Sequence, residues 1–186
     1  MSDVFPFDPV MPVCGMIYRD WGIADAACSE LIEIWGPLEI LSASFPFTQT
    51  AYYHAEMGEP LLRRFVAFAQ LIDPSEMARM KLESNALESA MADENGQRKV
   101  NLDPGILSLA NLLIATCKNH YHRVPMRDGV YAHMEYVFKE GDFAFLPWTY
   151  PDFKTPEYLD FFRTLRQTYK SRLKEAVKLK TPGGAE

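Results

Sequence analysis

Residues 98–123, R-K-V-N-L-D-P-G-I-L-S-L-A-N-L-L-I-A-T-C-K-N-H-Y-H-R, hold many side chains able to do chemistry. Asn101 and Asp103 stand at one end, and Thr116, Lys118, Asn119, His120, His122 and Arg123 at the other, around an apolar centre. Two kinds of site can be built from them. An anion pocket would use Arg123 as a bidentate fork and Lys118 and Lys81 as point charges, with His122 as a proton donor or acceptor near neutral pH. Glu56, Glu83, Glu88 and Asp103 are then candidates for a general base or an orienting partner. A metal site would instead use His120, His122 and His133 with Glu135 or Asp103, because H-x-H on a strand puts two imidazoles on one side. No recognised catalytic signature covers the segment, and a buried polar network in which these groups satisfy one another is the competing structural explanation.

The elements that must position these groups follow from the pattern around them. On a strand over 130–138, Tyr131, His133 and Glu135 share one face, and Val130, Ala132, Met134, Tyr136 and Phe138 the other. If 121–126 pairs with it through R-D-G, the register decides between a His/His/His/Glu cluster and an Arg123–Glu135 pair. Asp73-Pro74-Ser75-Glu76 opens a helix to about residue 93. Its buried stripe is Met77, Met80, Ser84, Leu87 and Met91, with Lys81, Asn85 and Glu88 along one edge. That edge is either an internal ion pair with a snorkelling lysine or a wall facing a ligand. Trp148, Tyr150 and Phe153 with Pro147 and Pro151 make a rigid aromatic corner, a stacking surface for a base or peptide or else a clamp on a strand end. Asp103 before Pro-Gly is turn chemistry as well as a possible acid.

In chain order, residues 1–10 with Pro6 and Pro9 read as an extended arm. A strand over 12–19, a helix over 24–35 and a strand over 38–45 follow, and 48–57 is rich in β-formers and reads as more strand. Residues 63–72 are apolar on both alternating sets, as in a strand covered on both faces. After the helix from 74 comes a strand over 100–107, then 109–117, whose periodicity fits a short helix or a strand. The order β-α-β-β-α-β is that of a ferredoxin-like core with an antiparallel sheet. Strands over 121–126, 130–138 and 143–148 add a C-terminal β-meander, and a helix over 158–178 closes one α+β domain spanning 11–178. The tail 179–186 reads as disordered.

Composition sets bounds on function. A net charge of −6 gives no strong nucleic-acid signal, since such binding needs a cationic field. No apolar run is long enough to span a bilayer, and the first residues lack a signal-peptide pattern, so a cytoplasmic address is expected. Cys14, Cys28 and Cys117 have no metal-knuckle or disulfide-framework spacing and read as reduced thiols.

Seven segments taken together carry a resemblance: Y-Y-H-A-E-M-G (52–58), K-L-E-S-N-A-L-E (81–88), R-K-V-N-L-D-P-G (98–105), A-T-C-K-N (115–119), H-R (122–123), G-V-Y-A (129–132) and L-P-W-T-Y-P-D-F (146–153). With them the chain resembles the bacterial and archaeal family known as domain of unknown function 4416. The resemblance implies no assigned activity. Some members carry a GTP-binding label, but this chain has no G-x-x-x-x-G-K-[ST] loop. The residues thus point to a protein binding a small anionic ligand, a nucleotide or phosphate ester, through Lys81, Glu88, Asp103, Lys118 and Arg123, with His122 and Glu135 as the acid–base pair. A metal-dependent hydrolase on His120, His122 and His133 and a non-catalytic interaction module are the alternatives, and the cofactor is left unknown.

Overall fold

A computed structural model describes residues 3–180. It is a mixed α/β structure built on an open, nine-stranded antiparallel sheet. The chain runs β1 (Met11–Tyr18), α1 (Trp21–Trp35), β2 (Leu38–Leu41), β3 (Phe45–Pro46), the single turn α2 (His54–Met57), β4 (Leu62–Phe68), α3 (Met77–Ala90), β5 (Val100–Leu107), β6 (Asn111–Thr116), β7 (Val124–Pro125), β8 (Tyr131–Lys139), β9 (Asp142–Phe145) and α4 (Pro156–Lys180). The strand order is β2-β4-β1-β5-β6-β8-β7, with β3 also on β4 and β9 also on β8.

Local chemistry explains the helix ends. Asp20 accepts hydrogen bonds from the Gly22 and Ile23 N–H groups, which starts α1 three residues before the hydrophobic pattern does. Asp73 accepts from Ser75 N–H ahead of Pro74, as its position predicts. Alternation along β1 then sorts the core into two layers. Cys14, Met16 and Tyr18 face α1 and α3, whose Ala24, Ala27, Leu31, Trp35, Met77 and Met80 complete that side. Met11 and Val13 face α4 through Phe162, Leu165, Tyr169 and Leu173. α4 reaches only one half of its face. Over the other half, around Gly15, Ile17, Arg63 and Asp103, the sheet is roofed by 47–57 and by the corner at 146–153, and a cavity remains between.

Several expected elements come out differently. Residues 48–57 are a loop ending in one helical turn, because tertiary contacts outweigh their β propensity: Phe47 and Met57 pack on Ile17, and Glu56 is held by Arg98. The strand expected over 38–45 is split in two at Ser42, whose hydroxyl accepts from Phe65 N–H. Of 121–126 only Val124–Pro125 pairs with β8, since 120–123 is a turn closed by Arg123 N–H to His120 O. Residues 109–117 resolve as a strand. The expected meander is rearranged, with β7 and β9 sharing the outer edge of β8. Tyr136 was expected opposite His133, but a bulge where Leu112 pairs with Tyr136 and Leu113 with Met134 breaks the period of two, so both project toward the α4 side. From residue 181 the expected disordered tail lies outside the described residues, and 179–180 belong to α4.

At Gly105, β5 and β6 approach so closely that a Cβ would sit 2.2 Å from the Leu113 carbonyl oxygen. Backbone cannot give way as a flexible side chain does. Gly105→Ala is therefore expected to cost about 1–3 kcal/mol of stability, measured by urea unfolding monitored at the tryptophans.

Candidate functional site

The cavity begins where the sheet opens. β5 pairs with β6 only over Gly105–Leu107, although β5 continues back to Val100. Even-numbered residues of β5 aim their backbone polar groups at the β6 edge, and Pro104 has no N–H to offer there. β6 diverges, and the Leu102 peptide groups on that edge have no partner strand. α3 supplies the partners: Lys81 Nζ donates to Leu102 O at 2.9 Å, and Leu102 N–H donates to Glu88 Oε1 at 2.6 Å. Both side chains are buried. They form no close ion pair with each other; each takes one end of the open ladder. Burial raises the Glu88 carboxyl above its ordinary value, with nearby Lys81 pulling it back.

The floor is set by Arg63 on β4. Its guanidinium donates to Asp103 at 2.7 Å and Asp152 at 2.6 Å and lies over the rings of Phe47, Phe65 and Phe153. Burial alone would lower the Arg63 pKa; Asp152 and Asp103 more than reverse that, so the charge is held firmly. Gly15 makes the space, since a Cβ there would meet Arg63 Nη2 at 2.9 Å. Beside it, Arg98 bonds both carboxylate oxygens of Glu56 and donates to Asn101 Oδ1. Arg63 Nε and Asn101 Nδ2 are buried donors with no acceptor among the described residues. Such a donor costs roughly 1–3 kcal/mol if nothing fills its need.

At the mouth, Lys118 donates to the Tyr52 hydroxyl at 3.0 Å, which lowers the Tyr52 phenol. Arg123 donates to Lys118 O at 2.7 Å, to Tyr150 Oη at 2.8 Å and, at 3.4 Å, toward His133 Nδ1. The cavity volume is about 710 Å³, and its wall includes five cations, Arg63, Lys81, Arg98, Lys118 and Arg123, against three carboxylates, Glu88, Asp103 and Asp152. Among the described residues, Lys81, Lys118 and Arg123 have no carboxylate oxygen within 4.0 Å. The wall thus carries more cations than carboxylates in a chain of net charge −6.

Behind the mouth lies a row of imidazoles. His120 Nδ1 is 2.9 Å from His122 Nδ1, His122 Nε2 is 3.0 Å from His133 Nδ1, and His133 Nε2 is 2.5 Å from Glu135 Oε2. His122 stacks on Trp148 and His133 on Tyr150, which fixes both ring planes. Glu135 is fully buried and also accepts from Tyr150 N–H. Burial raises its carboxyl, and the His133 contact opposes the rise. Desolvation, then the neighbouring His133, His120 and Arg123, hold His122 below the ordinary imidazole value. The aromatic corner clamps this arrangement: Trp148 Nε1 donates to Met134 O and Thr149 Oγ1 to Glu135 O.

A model of the family described as Domain of unknown function (DUF4416) matches residues 8–169, most of the chain. The chain belongs to the DUF4416 family. Neither a curated protein nor a solved structure matches it.

In this DUF4416 chain, the cavity wall collects Lys81, Glu88, Asp103, Lys118 and Arg123 of the residues singled out from sequence. Glu135 stands behind the wall, touching it through His133, and His122 lies one ring further out. Glu56 serves Arg98, while Glu83 lies apart, bonded to Trp35 Nε1 and Arg79. Among the described residues no group of three or more His, Cys, Asp or Glu is arranged to hold a metal ion. The nitrogens of His120, His122 and His133 face one another in pairs and do not converge on a point. Sequence reasoning missed Arg63, Arg98, Tyr52 and Asp152. Arg63 and Arg64 inside an otherwise apolar strand were the available signal, because a charge in a central strand must find a partner.

Two measurements check this electrostatic reading. Asp152→Ala leaves the buried Arg63 with one carboxylate, and the expected loss of stability is about 3 kcal/mol by denaturant titration. Because the folded state holds the Glu88 carboxyl above its unfolded value, Glu88 contributes stability below the unfolded pKa of about 4.3 that fades as pH rises through the folded one. Glu88→Gln removes that loss, so its melting temperature relative to wild type should climb between about pH 4 and pH 7.

Proposed function

We propose that this chain binds a small anionic ligand, a nucleotide or another phosphate ester, in the cavity between β5, β6 and the corner at 146–153. The observation that carries the reading is the trio Lys81, Lys118 and Arg123, three cations around one cavity that have no carboxylate oxygen within 4.0 Å among the described residues. Uncompensated positive charge in a concave, half-apolar site attracts anions and costs folding energy when left empty. Arg123 and Lys118, held by carbonyl and phenol acceptors that leave their charge uncancelled, supply a guanidinium and an ammonium, the two groups by which proteins take phosphate oxygens. Tyr52, at the mouth and largely exposed, offers a ring on which a base could stack.

With the function we infer a fold and an address. A ferredoxin-like core is supported by the order β2-β4-β1-β5, in which the crossovers through α1 and α3 each skip one strand. One domain over 11–178 is supported by the continuous sheet, and a reducing, cytoplasmic setting by three free cysteines. No helix among the described residues is long and apolar enough to cross a membrane.

Thermal unfolding in the presence of inorganic phosphate, a sugar phosphate and a nucleoside monophosphate tests the ligand class. At least one should raise the melting temperature by on the order of 5 °C when present at about a hundred times its Kd. Arg123→Ala should weaken that ligand about tenfold or more. A wild-type chain indifferent to all three, or an Arg123→Ala variant with an undiminished response, would remove the basis of the proposal.

A further inference from the structure

The hydrogen-bond geometry of the imidazole row favours one direction. Arg123 Nε carries a proton and has no acceptor capacity, and it points at His133 Nδ1, so Nδ1 must present its lone pair. The neutral His133 ring then bears its proton on Nε2 and gives it to Glu135. His122 Nε2, facing the same lone pair, has to be a donor, which leaves His122 Nδ1 as the acceptor for a proton on His120 Nδ1. Every contact is satisfied by three neutral rings with their N–H groups aligned from the surface inward. His120 is exposed, His133 and Glu135 are buried, and His133 lines the cavity.

We infer that anion binding in the cavity is coupled to proton uptake: His133, backed by Glu135, takes up a proton when a phosphate ester or similar anion binds, and His122 and His120 form the route by which that proton comes from solvent. The inference rests on the anion-binding reading and adds a chemical task to it. The transfer balances simply. A proton taken up at His120 Nε2 releases the Nδ1 proton to His122 Nδ1; His122 passes its Nε2 proton to His133 Nδ1. The result is an imidazolium at the cavity wall with its second N–H on Glu135, and two neutral rings behind it with their tautomers reversed. No bond other than N–H is made or broken.

The surroundings of His133 account for why a ligand would trigger the uptake. It faces Glu135 on its own strand, His122 and Arg123 from the turn before β7, and Tyr150 from the corner, with Lys118, Asp103, Asp152 and Arg63 across the cavity. In the empty site the cations Arg123 and Lys118 oppose a further positive charge. An anion that engages those two draws the Arg123 guanidinium off His133 Nδ1 and offsets that opposition, so that the imidazolium next to Glu135 becomes the favoured form. Stacking on Trp148 and Tyr150 holds the His122 and His133 rings in place while protons move. A row of histidines that served packing alone would not need their nitrogens matched end to end into a buried carboxylate. His122 and His120 are relay groups; His133 is the one that takes the proton.

Three measurements test this. In the free wild-type protein, nitrogen-15 spectra of the imidazoles should show His133 protonated at Nε2 and bare at Nδ1; the opposite tautomer would overturn the route whatever the ligand. Calorimetric titration with sulfate, a tetrahedral dianion that does not itself titrate near neutrality, in buffers of different ionisation enthalpy should show uptake approaching one proton per site at pH 7. His133→Gln should bind sulfate with that uptake abolished. His122→Phe, which keeps the stack on Trp148, should leave the amount of uptake unchanged but slow it at least tenfold in stopped-flow with a pH indicator. Sulfate and phosphate binding without proton uptake would sink this inference and leave the anion site standing, whereas no binding of either would remove both.

Discussion

The open hydrogen-bond ladder at Leu102 is the constraint on which the site depends. A buried strand must satisfy its peptide groups, and Pro104 denies β5 a continuous partnership with β6. The solution is a lysine and a glutamate from α3, held at the Leu102 carbonyl and N–H by bonds of 2.9 and 2.6 Å. Backbone hydrogen bonding thus forces two ionisable groups into the interior, and the wedge between β5 and β6 becomes a cavity instead of a packed seam. Gly105, where the strands part, is the pivot: only a residue without a Cβ lets them meet at Leu113 and still diverge toward Leu102.

Charge is then arranged in layers around that wedge. Innermost, Arg63 is tied to Asp103 and Asp152 and enclosed by three aromatic rings, so its role is to fix β4, β5 and the corner at 146–153 to one another. Next, Arg98 and Glu56 join the start of β5 to the loop that roofs the cavity. Outermost, Lys118 and Arg123 are bonded to phenols and carbonyls, acceptors that position a cation without cancelling its charge. Neutralised charges hold the walls together, and uncancelled ones face the opening. An acidic chain can present a cation-rich cavity wall only through such segregation.

The bulge in β8 connects this electrostatic layer to the histidines. Pairing skips one residue at Glu135, which turns Tyr136 toward α4 and lets the Glu135 carboxylate meet both His133 Nε2 and Tyr150 N–H. The corner at 146–153 responds to the same irregularity, taking the freed carbonyls of Met134 and Glu135 through Trp148 and Thr149. A single extra residue in one strand thereby places an acid, an imidazole and two stacking rings at the cavity wall.

Much of this was local enough to be legible in the residues alone. The helix cap at Asp73, the edge of α3 that carries Lys81 and Glu88, the core stripes and the family resemblance all depend on neighbours within a turn or a strand. The cationic residues Lys118 and Arg123 were identifiable because they stand beside the apolar run that had to become a strand. What the linear order could not convey is everything set by pairing between distant segments: the divergence of β6 from β5, the bulge opposite Leu112 and Leu113, the conversion of 48–57 into a roof, and the burial of Arg63 between aspartates 40 and 89 residues away. Helical position follows from intrinsic period, but register in a sheet is a property of two strands, and a shift of one residue sends every side chain to the other face. Residue types and their helical neighbours were therefore determined by sequence, whereas which polar groups meet around one cavity was decided by the tertiary structure, through strand pairing.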